Sequence, residues 1–410
     1  MKKMMFLAAL VIFSTTACVA QKSNVRRAKD LAQATENPDY NGARNAINEA
    51  LQDPTTKSLT ETWYVAGLIG YQQNKAEILK QQLGKGGTDY KLRGKIVAES
   101  YDYWIVADSL SLIPTYNKKG KAKYDTKTRK MIAEKMVEYF RYMELVNYGV
   151  ETYNAHDYAT AYNAFRRYIE IPELPMMQDP KFQEQLVKDE YFETYRYYMA
   201  LSAYYEKMYN EAIPVFERLL ADEKNGVNAG QFLYQSYISL NDSVKANEVL
   251  DQCINRFPTE PWFIQNRINN LVQSGKMTEA IDYLDHAIQN DPQVQYFISK
   301  GSILNMQKRF EEAIATYEAA LSIDPSNAAV YENYGFVFTD MANKLNDEAA
   351  DLSAKEYKKA KVQIDATFEK ALPYFEKAYE LAPDNYDYRT SLRSLYYRLG
   401  NMEKYEQLSK

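Results

Sequence analysis

The stretch that decides the fold runs from Val294 to Asn327 and reads VQYFISKGSILNMQKRFEEAIATYEAALSIDPSN. Gly301 lies in one amphipathic segment, a polar break follows, and small and apolar residues return at helical spacing from Ala313 through Tyr317. Small residues let two helices approach closely, and Pro325 ends the second helix because proline cannot continue it. The stretch therefore predicts two antiparallel helices packed face to face.

The same markers recur upstream with a constant period. The alanine returns at Ala246 and Ala280, and the proline returns at Pro258 and Pro292. Both series advance in steps of 34 and 33 residues. Because two independent markers share one period, the sequence predicts a repeat array.

This pattern resembles the tetratricopeptide repeat (TPR), whose period is about 34 residues. The resemblance is clear from residue 227 to residue 385 and degenerate from residue 21 to residue 226, where Trp63 and Gly67 stand near family positions. It implies an all-α fold, a right-handed superhelical solenoid of antiparallel helix pairs.

Insertions and a terminal segment modify the array. Residues 343–364 form a surplus rich in Ala, Lys, Glu and Asp, which predicts that both helices of the last clear repeat are lengthened by about three turns into a helical arm. Residues 386–410 predict capping helices. Thr115 to Lys127 is expected to be a basic loop, and Glu173 to Asp189 an irregular connector.

The N-terminus has the layout of a secretory signal peptide over residues 1–20: two lysines, an apolar run and small residues. Cleavage after Ala20 and lipid attachment at Cys18 remain alternatives. The leader resembles those of exported bacterial proteins, Bacteroidetes-like TPR proteins included. The sequence thus predicts a periplasmic protein, with an outer-membrane lipoprotein as the second route, and no transmembrane span.

The composition offers few candidate residues for catalysis or metal binding. The chain has two histidines, His156 and His286, and neither has a Cys or His at ligand spacing. Cys253 occupies a small-residue position of its repeat. We therefore expect no metal, no cofactor, no catalytic residues and no enzyme activity. The net charge of −5 also argues against a nucleic-acid partner.

One local cluster is positively charged although the whole chain has a negative net charge. Seven basic residues lie between Lys118 and Lys130, with Asp125 as the single acid among them. Contact with anionic headgroups or with an acidic partner is one interpretation, and a solvated loop is the other.

The TPR resemblance also implies a binding surface, because the first helices of such repeats line the inner face. Projecting each first helix gives a tentative partner-binding groove: Tyr64, Tyr71, Tyr153, Tyr197, Tyr204, Gln231, Gln235, Trp262, Gln265, Asn269, Gln273 and Asn305. The aromatic residues dominate its N-terminal half and the amides its middle. Amides suit an extended peptide backbone, and aromatic rings accept side chains or sugar faces.

Two functions remain open on this basis. The first is a scaffold that binds a protein or peptide partner in a complex of the cell envelope. The alternative is a glycan-binding accessory lipoprotein of a nutrient-uptake system. The basic residues with which some TPR proteins grip a C-terminal carboxylate have no counterpart beside the predicted amides, so that specificity is not expected.

Overall fold

The computed structural model describes residues 22–85, 87 and 89–409, and the predicted signal peptide lies outside them. The described helices are α1 (22–32), α2 (Tyr40–Gln52), α3 (Thr60–Gln82), α4 (Tyr90–Ser111), α5 (Thr126–Tyr142), α6 (Glu144–Asn154), α7 (Tyr158–Glu170), α8 (Pro180–Gln183), α9 (Phe192–Tyr205), α10 (Tyr209–Leu219), α11 (Gly226–Ser239), α12 (Ser243–Arg256), α13 (Pro261–Gln273), α14 (Met277–Asn290), α15 (Val294–Met306), α16 (Phe310–Ile323), α17 (Ala328–Glu348), α18 (Ala354–Leu381), α19 (Tyr386–Arg398) and α20 (Met402–Gln407).

The chain divides into two compact units, one ending at Val249 and the other beginning at Leu250. In the first unit α3 packs on α4, α6 on α7, and α9 on α10. In the second unit α13 packs on α14, α15 on α16, α17 on α18, and α19 on α20. Short connections make each pair antiparallel, which confirms the prediction of an all-α solenoid of helix pairs.

The pair α15–α16 shows why the repeat needs its small residues. Gly301 of α15 faces the ring of Tyr317 of α16, and a Cβ atom added at Gly301 would lie 2.5 Å from Tyr317 Cζ. Tyr317 is fully buried, and Ala313 and Ala320 of the same helix are buried beside it. The ring of Tyr317 therefore fills the space that the absent side chain leaves.

Replacing Gly301 by alanine should lower the free energy of unfolding by about 1–3 kcal/mol, because the ring and both helices would have to shift. Urea unfolding followed by circular dichroism measures the change. Gln295→Ala on the exposed face of the same helix is the control and should stay within about 0.5 kcal/mol of the native chain. If the native chain, Gly301→Ala and Gln295→Ala unfolded with equal free energies, the space between Gly301 and Tyr317 would be large enough for a methyl group.

The predicted arm coincides with two long helices. α17 has 21 residues and α18 has 28, joined by a turn at residues 349–353. Ser353 caps α18, and Glu356 completes a capping box with it. Ala342, Ala349 and Ile364 are buried where the extended parts of the two helices meet.

Two segments differ from their prediction. Thr115 to Lys127 is not wholly a loop, because β1 (Thr115–Tyr116) pairs antiparallel with β2 (Ala122–Lys123). The connector between Glu173 and Asp189 is better ordered than expected. It contains short 3-10 helices and α8, and it buries Met176, Met177 and Phe182 against the core of the first unit.

Candidate functional site

Tyr64 and Tyr71, the first residues of the predicted groove, lie in the protein core. Both are on α3 and are only 8% and 6% exposed. The Tyr64 hydroxyl lies 3.8 Å from the sulfur of Met131, and the Tyr71 hydroxyl donates to Glu138 Oε2 at 2.6 Å. Met131 and Glu138 belong to α5, so α5 covers the face of α3 that was expected to be open. In this structure neither ring offers a binding surface.

Tyr153, Tyr197 and Tyr204 belong to a continuous aromatic cluster in the first unit. We define the aromatic cluster by its rings on α6, α7, α9 and α11, which are Tyr153, Tyr158, Tyr197, Tyr198, Tyr204, Tyr205 and Phe232. Tyr153 meets Tyr198 edge to face with ring centres 5.2 Å apart, and Tyr158 stacks on Tyr205 at 4.8 Å. These contacts stabilise the seams between successive pairs.

Most rings of the aromatic cluster are half-buried, whereas Tyr205 is 44% exposed. Burial raises the pKa of Tyr197 to about 12 and also raises the pKa values of Tyr153 and Tyr204. These hydroxyls therefore remain protonated at neutral pH and can donate hydrogen bonds. The cluster combines apolar ring surface with hydroxyl donors, which suits an amphipathic ligand.

A second set of predicted residues forms an amide row in the second unit. We define the amide row by side chains of three successive first helices: Gln265, Asn269 and Gln273 of α13, Ser299, Ser302 and Asn305 of α15, and Asn333 and Asp340 of α17. Gln265 links two of these helices, since it donates to Asn269 at 3.0 Å and accepts from Ser299 at 3.2 Å. The three helices therefore share one polar face.

Hydrogen bonds also join α15 to α17 along the amide row. Ser302 donates to Asn333 Oδ1 at 3.3 Å, and Asn305 donates to Asp340 Oδ2 at 2.6 Å. The Asn305 carbonyl oxygen Oδ1 is buried without a hydrogen-bond partner. An unpaired buried acceptor is costly, and because this oxygen is closed off from solvent it is a local cost of the packing between α15 and α17, not a contact point for a ligand.

The α13 and α15 parts of the row border an open cavity of about 350 Å³. Its polar wall includes Gln265, Asn269 and Gln273, and its apolar wall includes Ile268 and Ile298. Asn269 and Gln273 are exposed, whereas Gln265 is half-buried. The cavity can thus pair a peptide-like backbone with amides while it accepts an apolar side chain.

The remaining predicted groove residues lie outside these two sets. Gln231 and Gln235 are half-buried on α11 in the first unit. Trp262 is half-buried at the start of α13 and meets the ring of Phe263 edge to face, with centres 5.3 Å apart. Its position at the helix start sets it about two turns from Asn269 and about three turns from Gln273.

Comparison with known proteins identifies the repeat at the centre of this row. Residues 301–341 match the family model described as TPR repeat. Over these residues the chain is similar to a tetratricopeptide repeat. The match begins at Gly301 and runs through α16 into α17, so it covers the helices that carry Ser302, Asn305, Asn333 and Asp340.

Two curated proteins are similar to part of the chain. A stretch of 118 residues is 26% identical to the small glutamine-rich tetratricopeptide repeat-containing protein 2 of Mycosarcoma maydis and covers 28% of this chain and 34% of that protein. A stretch of 146 residues is 25% identical to the Hsp70-Hsp90 organizing protein of Triticum aestivum and covers 35% of this chain and 24% of that protein. The chain thus spans about a quarter to a third of the relatives' length.

Two solved structures are similar to parts of the chain. A TPR repeats protein from Bacteroides fragilis NCTC 9343 is 18% identical, with a TM-score of 0.29, over 62% of this chain and 96% of that one. MamA from Desulfovibrio magneticus RS-1 is 16% identical, with a TM-score of 0.31, over 45% of this chain and 89% of that one. These similarities concern the fold.

Side chains suited to metal or nucleophilic chemistry lie far apart in the described part of the chain. Within residues 22–85, 87 and 89–409, no three or more His, Cys, Asp or Glu side chains form a group that could hold a metal ion. His156 Nδ1 lies 2.7 Å from the Tyr158 hydroxyl, and His286 is exposed. Cys253 is buried, and burial raises its pKa to about 11, so its thiol is a poor nucleophile at neutral pH.

Among the described helices, none combines the length and the apolar character needed to cross a bilayer.

Proposed function

We propose that this chain is an exported TPR scaffold that binds an extended segment of a protein partner along the amide row, within a complex of the bacterial cell envelope. The observation that carries the proposal is the polar face shared by α13, α15 and α17, on which the amides of Asn269 and Gln273 are exposed. A peptide backbone offers N–H donors and carbonyl acceptors at regular spacing, which is what a row of amides can pair with.

Two further facts support a protein ligand. One curated relative is named as an Hsp70-Hsp90 organizing protein, a protein whose name describes assembly of other proteins. The cavity beside the row has apolar residues, Ile268 and Ile298, facing its amides, so it can accept a side chain of the bound segment. The envelope location rests on the leader-like sequence of residues 1–20.

Glycan binding by an accessory lipoprotein of an uptake system is the alternative. The observation that favours it is the exposed ring of Tyr205 in the aromatic cluster, because sugars stack on tyrosine faces. The amide row has no comparable open ring, so the two proposals place the ligand on different units.

The test is capture of partners from an envelope extract on the immobilised chain. Replacing Gln265, Asn269 and Gln273 together by alanine should weaken capture about thirtyfold or more, because each lost hydrogen bond is worth about 1 kcal/mol. All three side chains lie on one face of α13, and two of them are exposed, so the fold should be retained.

The matched control is Thr278→Ala with Gln289→Ala and Asn290→Ala on α14, three exposed and uncharged polar residues of the same helix pair. This variant should capture the partner like the native chain. Recovery of no reproducible protein by any of the three chains would count against the scaffold. Retention of the chain on a glycan column, lost on Tyr205→Ala, would favour the alternative.

A further inference from the structure

The hairpin formed by β1 and β2 is exposed along its whole length. Every residue from 115 to 124 is exposed, yet the turn is well held by its own backbone. Asn117 N donates to Lys121 O at 3.1 Å, and Asn117 Oδ1 accepts from Lys119 N and Lys121 N at 2.9 and 3.0 Å. Gly120 has a φ of +73° and closes the turn, a conformation that favours glycine. The hairpin thus presents a defined shape to solvent.

Four lysines of this hairpin carry charge that the chain does not neutralise. Lys118, Lys119, Lys121 and Lys123 are exposed, and none forms an ion pair within the described part of the chain. The nearby Asp125 is engaged as the N-cap of α5, where it accepts from Thr128 N at 3.1 Å. The hairpin is therefore a local positive surface on a chain whose net charge is −5.

Large apolar side chains lie close to these lysines along the chain and are open to water. Ile113 is 62% exposed and Tyr116 is 70% exposed, and Leu112 and Tyr124 are about half exposed. Exposed apolar and aromatic residues mixed with lysine are typical of segments that enter the interfacial layer of a membrane. A nucleic acid contacted through its phosphates would pair with the lysines but would leave Ile113 and Tyr116 in water.

We propose that this hairpin docks the chain on the surface of a bilayer that contains anionic lipids. The four lysines approach the phosphate headgroups, while Ile113 and Tyr116 enter the interfacial layer. This docking surface is separate from the amide row and does not depend on the function proposed for it.

Co-sedimentation of the full chain with vesicles tests the charged half of the surface. The vesicles contain phosphatidylcholine with roughly 30% phosphatidylglycerol, an anionic fraction large enough to attract basic segments. Replacing Lys118, Lys119, Lys121 and Lys123 together by glutamine should weaken binding about several hundredfold, since one lysine near such a surface changes binding about fivefold and the four effects multiply. Vesicles of phosphatidylcholine alone should bind the native chain and this variant equally.

The matched control replaces four other exposed lysines, Lys355, Lys358, Lys359 and Lys370 of α18, by glutamine and changes the net charge by the same amount. It should bind within about twofold of the native chain, because net charge alone acts weakly over a Debye length. Residues 1–20 are present in every variant, so their own contribution cancels.

Replacing Ile113 and Tyr116 together by serine tests the apolar half. At high salt, where charge attraction is screened, this variant should bind about tenfold more weakly than the native chain. Equal vesicle binding by the native chain and the four-lysine hairpin variant would overturn the proposal. So would normal vesicle binding of the serine variant together with tighter binding of RNA or heparin by the native chain.

Discussion

Replacing Arg93 by alanine is expected to lower the free energy of unfolding of the region from α3 to α6 by about 3–5 kcal/mol. Arg93 of α4 is 8% exposed, and its guanidinium forms an ion pair with Glu144 of α6, which is 2% exposed. It also donates to Gln81 Oε1 at 2.7 Å. Burial raises the pKa of the Glu144 carboxyl, an effect that Arg93 opposes. Without the cation, a buried carboxylate would have no partner.

Hydrogen exchange of peptides from α3, α4 and α6 measures this loss region by region, because stacked helix pairs can open separately. The double variant Arg93→Met with Glu144→Leu should recover most of the loss, because it removes both charges. Lys80→Ala breaks a more exposed pair with Glu77 and should cost less than about 1 kcal/mol. A loss for Arg93→Ala no larger than that of Lys80→Ala would show that the buried pair is not a structural requirement.

Replacing Trp104 by alanine should cost about 3–5 kcal/mol in the same region. Trp104 of α4 is fully buried, its ring centre lies 5.5 Å from that of Tyr139 of α5, and its Nε1 donates to Tyr64 O at 3.1 Å. The indole therefore connects α3, α4 and α5 at one point. Its loss should open a cavity beneath α5 as well as weaken the helix pair.

The specific signature of Trp104→Ala is faster hydrogen exchange in α5 as well as in α3 and α4. The control is Trp104→Phe, which keeps an aromatic ring against Tyr139 but loses the hydrogen bond to Tyr64, and which should cost clearly less. If α5 stayed as protected in Trp104→Ala as in the native chain, another contact would have to hold α5 on α3.

The sequence predicted the helix pairs because their markers report direct contacts. Gly301 and Tyr317 touch across the pair α15–α16, so the residue types at those positions are constrained by packing. The same holds at Gly335, where an added Cβ would lie 2.8 Å from Phe375 Cε1. The spacing of small and aromatic residues within a repeat is therefore enough to predict its helix pair.

The sequence could not predict the burial of Tyr64 and Tyr71, because it depends on α5. The apolar residues of α5, among them Met136 and Tyr139, indicate an amphipathic helix. Helical spacing shows that this helix has a partner but does not show which face it covers. Contacts between residues 67 positions apart, such as Tyr71 with Glu138, are set by tertiary packing.

The candidate site was predicted only in part, because helical spacing does not show which helices pack together. Projection of each first helix named Gln265, Asn269 and Asn305, which the structure brings into one row with partners such as Asn333 that projection missed. It named Tyr153, Tyr197 and Tyr204 but missed Phe232, which lies on α11 and meets Tyr204 at 5.0 Å. When a residue of a neighbouring repeat completes a surface, the residue spacing within the first repeat does not predict it. Whether a partner uses either surface remains a prediction.

Photo-cross-linking from the amide row tests the central claim most directly. A photoreactive amino acid placed at Asn269 on α13, and separately at Asn290 on α14, compares two exposed positions of one helix pair. In an envelope extract we expect a discrete protein adduct from position 269 and none from position 290. Adducts of equal yield from both positions, or from position 290 alone, would contradict binding along the first helices.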